Sequence, residues 1–298
     1  MLTPEQIKQY KDDGYLVIDG LFTPEEVERL REAADDPKVK EALDQRGFQN
    51  SLVHLLEITA KHPAFKELCM DTRITDRIAP LIGEDIQLQH SKLATKPPKK
   101  DAGAFAWHQD IAYFPHTNHD LLAVMVMLDD ATPENGCMSV VKGSHKLGVL
   151  NHLRDGYFTG MCLEEDKYSD ESKIVPLMPK AGGISIHHGL TLHASPGNKS
   201  GRPRRGVVFE YRAADAYQLA DHVWVDTGLQ VRGTYKEMAR CEAGALRLPK
   251  RRNWDPSYGN LYFQQGRCAK EWNSELQGSG NGGQGSERQL AAAVSTGQ

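Results

Sequence analysis

A histidine and a carboxylate two residues apart can reach one metal ion when the chain between them is extended, because strand residues i and i+2 project from the same face. The run Trp107-His108-Gln109-Asp110 offers that pair. A second histidine from a distant strand would complete the set of two imidazoles and one carboxylate that holds non-haem Fe(II) and leaves coordination positions open. The downstream candidates are His145, His152, His187, His188, His193 and His222. His193 is the best placed. It follows Gly182-Gly183-Ile184-Ser185-Ile186, which reads as a strand with a turn before it. Eleven residues further on comes Arg204, just ahead of the strand-like Val207-Val208-Phe209. A guanidinium grips a carboxylate through two parallel hydrogen bonds, a geometry lysine cannot copy, and beside an open iron site this suits a dicarboxylate co-substrate. Spacing alone leaves a plainer reading level with this one, in which His108 and Asp110 share a neutral hydrogen bond inside a β-core.

The elements that must position these residues change character along the chain. Thr3-Pro4-Glu5-Gln6 and Thr23-Pro24-Glu25-Glu26 read as capped helix starts, with residues 15–18 as a strand between the two helices. Residues 64–82 keep a helical period up to Gly83. From residue 86 the period becomes that of strands. Residues 86–95 alternate, 121–128 form a continuous apolar run expected of a fully buried strand, and 137–141, 183–187 and 207–211 are further candidates. Short helices followed by many short strands predict an α+β, mainly β domain built on a sandwich or small barrel. The polar stretch 150–180 is expected to cover one mouth of it. Residues 277–298, rich in Gly, Ser and Gln, read as a flexible tail, which leaves 1–276 as a single catalytic domain.

Composition excludes several classes. The longest apolar run is far below the ~20 residues that cross a bilayer, and the N-terminal residues lack the basic-then-apolar pattern of a signal peptide. The five cysteines are scattered, with no C-x-x-C pair, which predicts free thiols in a reducing cytoplasm. A formal net charge of −4 makes general nucleic-acid binding a poor expectation. The expected partner is a small molecule; oligomeric state is not legible.

Several motifs occur in order: Trp107-His108-Gln109-Asp110-Ile111-Ala112-Tyr113-Phe114-Pro115, Glu134-Asn135-Gly136-Cys137-Met138, Lys142-Gly143-Ser144-His145-Lys146, and His193-Ala194-Ser195 followed by Asn198 and Ser200. Together with Asp13-Gly14-Tyr15-Leu16-Val17 near the start, they resemble the phytanoyl-CoA dioxygenase family of Fe(II)/2-oxoglutarate oxygenases over roughly residues 5–215. The resemblance implies a double-stranded β-helix, the cupin-like jelly roll, flanked by N-terminal helices. It implies His108, Asp110 and His193 as iron ligands, Arg204 and Ser195 as contacts to the distal carboxylate of 2-oxoglutarate, and O2 as oxidant, with succinate and CO2 as co-products. Lys92 and Met125 fall at further co-substrate positions but depart from the pattern, where an apolar residue such as Met and a Trp, respectively, are familiar. A carboxylate at 110 favours hydroxylation over halogenation, because halogenating relatives carry a small residue there. The expected reaction is therefore hydroxylation of a small or medium organic substrate.

Around this set, Trp107, Tyr113, Phe114 and His90 are candidates for the substrate pocket, and His54 for the border of the co-substrate. His187 and His188 read as one core residue and one facing the cavity or solvent, and His145 as a hydrogen-bonding turn residue. Lys250-Arg251-Arg252 reads as a solvated basic loop. Two rival functions share the fold: a metal-containing cupin-type isomerase or epimerase, and a non-catalytic jelly-roll binding module.

Overall fold

The computed structural model describes residues 1–44, 53–98, 103–219 and 224–248. The expected tail, the boundary at 276, the 250–252 loop and His222 lie outside the described residues.

Among the described residues, six helices gather in the N-terminal third: α1 Pro4–Asp13, α2 Pro24–Ala34, α3 Pro37–Asp44, α4 Ile58–Lys61, α5 Pro63–Cys69 and α6 Thr72–Ile82. Thr3 and Thr23 each close a reciprocal capping box, with Gln6 and Glu26 reaching back to the cap backbone. The helix expected over 64–82 is two helices. Asp71 accepts from the backbone N–H of Arg73 and so starts a new helix where the period runs on unbroken.

The described residues also form thirteen strands: β1 Tyr15–Ile18, β2 Val53–Leu56, β3 Ile86–Lys96, β4 Phe105–His108, β5 Leu121–Met127, β6 Met138–Val141, β7 Leu153–Arg154, β8 Tyr157–Phe158, β9 Ile174–Leu177, β10 Ile184–His188, β11 His193–Ser195, β12 Arg204–Ala213 and β13 Gln230–Arg232. They form a large sheet in the order β1-β10-β5-β12-β3-β13, with β2 also on β3, a second sheet β4-β11-β6-β9, and the small hairpin β7-β8. All these pairings are antiparallel. The two sheets form a jelly-roll core. The 150–180 stretch, expected as a polar cover, supplies both the hairpin and the edge strand β9.

The large sheet is buried on both faces, which explains the continuous apolar run of β5. Leu122, Val124 and Val126 pack outward, with Val207, Phe209 and Tyr211 of β12, against Phe65, Ile74 and Ile78 of the helices. Tyr211 also donates its hydroxyl to the Cys69 carbonyl at 2.8 Å, tying β12 to the end of α5. Each such large apolar side chain contributes about 1.5–3 kcal/mol by leaving water. The alternate residues face inward. Along β12 these are Arg204, Gly206, Val208 and Glu210, opposite Lys96, Ala94, Lys92 and His90 of β3. On the other side of β12, Met127, Met125 and Ala123 of β5 stand beside Gly206, Val208 and Glu210. Strand period 2 thus separates one apolar, helix-packed face from one that carries five ionisable side chains, Arg204, Glu210, Lys96, Lys92 and His90.

Candidate metal centre and co-substrate pocket

His108 ends β4, and His193 begins β11 as its direct cross-strand partner. Asp110 is not on the strand. Gln109 is extended, and Asp110 opens a single 3-10 turn, Asp110–Ala112, so the carboxylate swings towards the imidazoles as the strand stops. Gln109 fixes that corner. Its side chain donates to the carbonyls of Gly148 at 2.9 Å and Leu190 at 2.7 Å and accepts from the Leu150 amide at 2.8 Å. Its own amide donates to His152 Nε2 at 3.0 Å.

The two imidazoles are oriented by backbone. His108 Nδ1 lies 2.8 Å from the Ala106 carbonyl, and His193 Nδ1 lies 3.0 Å from the Thr191 carbonyl. A carbonyl only accepts, so both Nδ1 atoms carry the proton and both Nε2 atoms present a bare lone pair. Those Nε2 atoms lie 3.9 and 3.7 Å from Asp110 Oδ1. His108 Nε2 is buried and has no hydrogen-bond partner. Burial pulls His108 down to about 4 and His193 well below the usual imidazole range, so both are neutral, the form that binds metal. Three donors converge on one point with no proton between them. This is what a divalent ion requires, and it fits the facial set.

His187 completes the arrangement. Its Nε2 lies 2.9 Å from Asp110 Oδ2, so it donates to the oxygen that faces away from the other imidazoles and leaves Oδ1 for the ion. Burial opposes ionisation of Asp110, but the hydrogen bond donated by His187 Nε2 favours the carboxylate, and the carboxyl is held below its usual range. Of the pair 187–188, the residue expected to be core or cavity-facing is thus a buttress of the metal carboxylate. His188 is half-buried and packs near His145 and Tyr10.

At the other end of the inward face stands a cationic pole. Arg204 is buried at the start of β12, donates from Nη1 to the Gly136 carbonyl at 2.7 Å, and leaves Nε without a partner. Burial draws it down to about 10, so it remains charged at neutral pH. Lys96, its register partner, is fully buried and donates to Ser195 Oγ at 2.8 Å and to the Pro196 carbonyl. Burial and the neighbouring Arg204 guanidinium push the Lys96 amine well down, and neither Arg204 nor Lys96 has a carboxylate partner among the described residues, so this pole is suited to a carboxylate from outside the chain. Sequence reasoning missed Lys96 because it precedes Pro97-Pro98 and reads as the strand's end; it lies on the same face as Lys92, four residues on.

Between the pole and the donors lies a cavity of about 50 Å³, lined by His54, Lys92, Phe105, Met125, His187 and Glu210 as well as by the metal set, Ser195 and Arg204. Met125 lies over Gly206, where a Cβ would come within 3.1 Å of Met125 Cγ, so glycine there makes room for it. Glu210 was also missed, since it sits inside an apolar strand pattern. It is 1% exposed, and neither carboxylate oxygen has a partner. Burial, with the charge of Asp110 adding to it, pushes its carboxyl well up.

The four pocket candidates are placed differently. Tyr113 sets its ring edge on His108 at 5.6 Å and donates its hydroxyl to the Gly160 carbonyl at 2.5 Å. Trp107 alternates with His108 on β4 and therefore points the other way, stacking on Tyr168 at 5.7 Å in a separate cluster. His90 shares a strand face with Lys92, but Phe114 and Trp224 pack over it at 5.3 and 4.7 Å, so neither His90 nor Phe114 lines the cavity.

Two measurements follow. Replacing His187 with Leu frees Asp110 Oδ2, and the Fe(II) dissociation constant measured anaerobically should rise about 10–100-fold; unchanged affinity would contradict the buttress. For the metal-free protein, burial lowers His152 to about 4 and His116 to about 3. Because these folded values lie below the unfolded ~6.5, the unfolded chain takes up protons first as pH falls. Stability is therefore full above about pH 6.5 and lost between about 6.5 and 4, by about 1.4 kcal/mol per pH unit for each such residue. Urea melts across that window test this, and a flat profile would contradict it.

The sequence profile described as "Phytanoyl-CoA dioxygenase (PhyH)" matches residues 10–206. A probable alpha-ketoglutarate-dependent hypophosphite dioxygenase of Stutzerimonas stutzeri is 32% identical over 72% of this chain and 80% of its own. A methylphosphonate hydroxylase of Gimesia maris is 27% identical over 76% of this chain and 86% of its own. Among solved structures, EctD from Sphingopyxis alaskensis with bound Fe superposes with a TM-score of 0.64 at 25% identity, covering 82% of this chain and 88% of that one. With its facial metal set and cationic pole, the chain belongs to the phytanoyl-CoA dioxygenase family and is an Fe(II)/2-oxoglutarate-dependent dioxygenase that uses O2.

Proposed function

We propose that the enzyme hydroxylates a small polar substrate. The observation that carries this is the Asp110 carboxylate, whose Oδ2 is occupied by His187 and whose Oδ1 faces both imidazole Nε2 atoms. His108, Asp110 and His193 would hold the iron, and Asp110 stands where a halogenating site needs an empty position. Bound iron and 2-oxoglutarate supply the oxidising chemistry, in which O2 is consumed and the keto acid leaves as succinate and CO2. The chain's own residues bind and shield. Arg204 and Ser195 would take the distal carboxylate, with Lys96 orienting the Ser195 hydroxyl by donating to its oxygen. Met125 and Phe105 present apolar surface to the same cavity and keep water from it. Lys92 lines the cavity, but Val208, not Arg204, is its register partner, which places it one step towards Glu210 and away from the distal carboxylate. The named substrates of relatives (hypophosphite, methylphosphonate, ectoine) are all small and polar, in keeping with the polar end of this cavity.

Reconstitution with Fe(II) under O2 tests this reading. The protein should convert 2-oxoglutarate to succinate, and a turned-over substrate should gain one oxygen from labelled O2. His108→Ala and Asp110→Ala should lower turnover by at least about 10³-fold, whereas Arg204→Ala should mainly raise the KM for 2-oxoglutarate, by about 10–100-fold, as expected for a lost charge-assisted bidentate contact. An isomerase or epimerase would turn over without 2-oxoglutarate and be indifferent to Arg204. A binding module would keep its metal without decarboxylation.

A further inference from the structure

Opposite the cationic pole, the cavity ends in a group of polar atoms that nothing in the protein satisfies. Neither oxygen of the buried Glu210 carboxyl has a hydrogen-bond partner among the described residues. His187 spends its Nε2–H on Asp110, so its buried, partnerless Nδ1 is a bare acceptor. The ligating atoms of Glu210, His187 and Asp110 lie within 4.8 Å of one another. Lys92 stands on the neighbouring strand opposite Val208, one inward position from Glu210, and forms no ion pair or hydrogen bond within the described residues. Buried acceptors without partners are costly, and their retention on a cavity wall marks where a ligand completes them.

The donor and acceptor pattern is specific. Two groups on one side, one the bare imidazole nitrogen and the other a carboxyl whose ionisation a bound cation favours, match a cationic nitrogen with several N–H donors. One ammonium on the other side matches an anion. We infer that Glu210, His187 and Lys92 form the substrate-recognition end of the cavity, and that the substrate is a small zwitterion, with a protonated nitrogen facing Glu210 and His187 Nδ1 and a carboxylate or phosphonate facing Lys92. The inference rests on the dioxygenase reading above and adds the substrate's chemical class to it. In this account Glu210 and Lys92 are specificity residues. A monoanion without nitrogen leaves Glu210 unpaired, and a neutral apolar molecule leaves all three groups unpaired, so both are discriminated against.

The test is calorimetric binding to the anaerobic protein loaded with Fe(II) and 2-oxoglutarate, where no turnover occurs. The probes are β-alanine and aminomethylphosphonate, against propionate and methylphosphonate, which keep the acid and lack the amine. Each amino compound should bind at least about 10-fold tighter than its amine-free counterpart, the size of a charged hydrogen bond. Glu210→Gln should abolish that preference. Lys92→Gln should weaken both amino compounds about 10-fold, and the stronger binder of the two identifies the acid. Equal affinity with and without the amine in the unaltered protein would overturn the inference whether or not the variants fold. So would two metal equivalents per chain falling to one in Glu210→Gln, which would make Glu210 a ligand. The same preparations are assayed for succinate under O2. A protein that makes none refutes the dioxygenase reading, whereas one that makes succinate yet shows no amine preference refutes only the present inference.

Discussion

Two backbone carbonyls decide the chemistry of this protein. Ala106 and Thr191 each take the Nδ1 proton of the imidazole two residues later, and so turn both Nε2 lone pairs towards one carboxylate oxygen. Had either histidine bonded through Nε2, the pocket would hold a neutral hydrogen-bonded cluster, the plainer reading that spacing left open. Everything else in the site protects this choice of tautomer. Burial keeps the imidazoles uncharged, His187 takes the spare oxygen of Asp110, and Gln109 fixes the corner between the two ligands of the first stretch. The jelly roll's contribution is to make His108 and His193 cross-strand neighbours although 85 residues separate them in the chain.

The inward face of the large sheet then arranges charge along one line. Strand period 2 places Arg204 and Lys96 at one end, a small-residue step at Gly206 and Ala94, and Lys92 and Glu210 at the other. The metal set faces this line from the second sheet. On the proposed reading, an anionic co-substrate and a separate polar substrate approach the same ion from opposite ends without competing for the same cation. The buried Arg204 guanidinium has no carboxylate partner among the described residues, so the empty site stores a desolvation cost that an anionic ligand relieves.

Much of this is legible in the sequence. Capping boxes, the change from helical to strand period near residue 86, and the ordered motifs located the helices, the sheets and the residues His108, Asp110, His193 and Arg204. What escaped did so for physical reasons. Glu210 is a single carboxylate inside Val207-Val208-Phe209-Glu210-Tyr211, and hydrophobic pattern assigns such a strand to the core without saying which alternate residues face a cavity. His187 has no local signal, because its role is a hydrogen bond to a residue 77 positions away. Trp107 looked like a pocket residue by adjacency, but adjacency on a strand means opposite faces. The split at Asp71 shows a cap overriding a continuous helical period.

The central claim is that one ion is held by two imidazole nitrogens and one oxygen of Asp110, with His187 and Glu210 outside the coordination sphere. Iron anomalous diffraction from crystals loaded anaerobically with Fe(II) tests it most directly. The account predicts a single anomalous peak bonded to His108 Nε2, His193 Nε2 and Asp110 Oδ1, with His187 still hydrogen-bonded to Oδ2. A peak bonded to His187 or Glu210, or one lacking either His108 or His193, would contradict it.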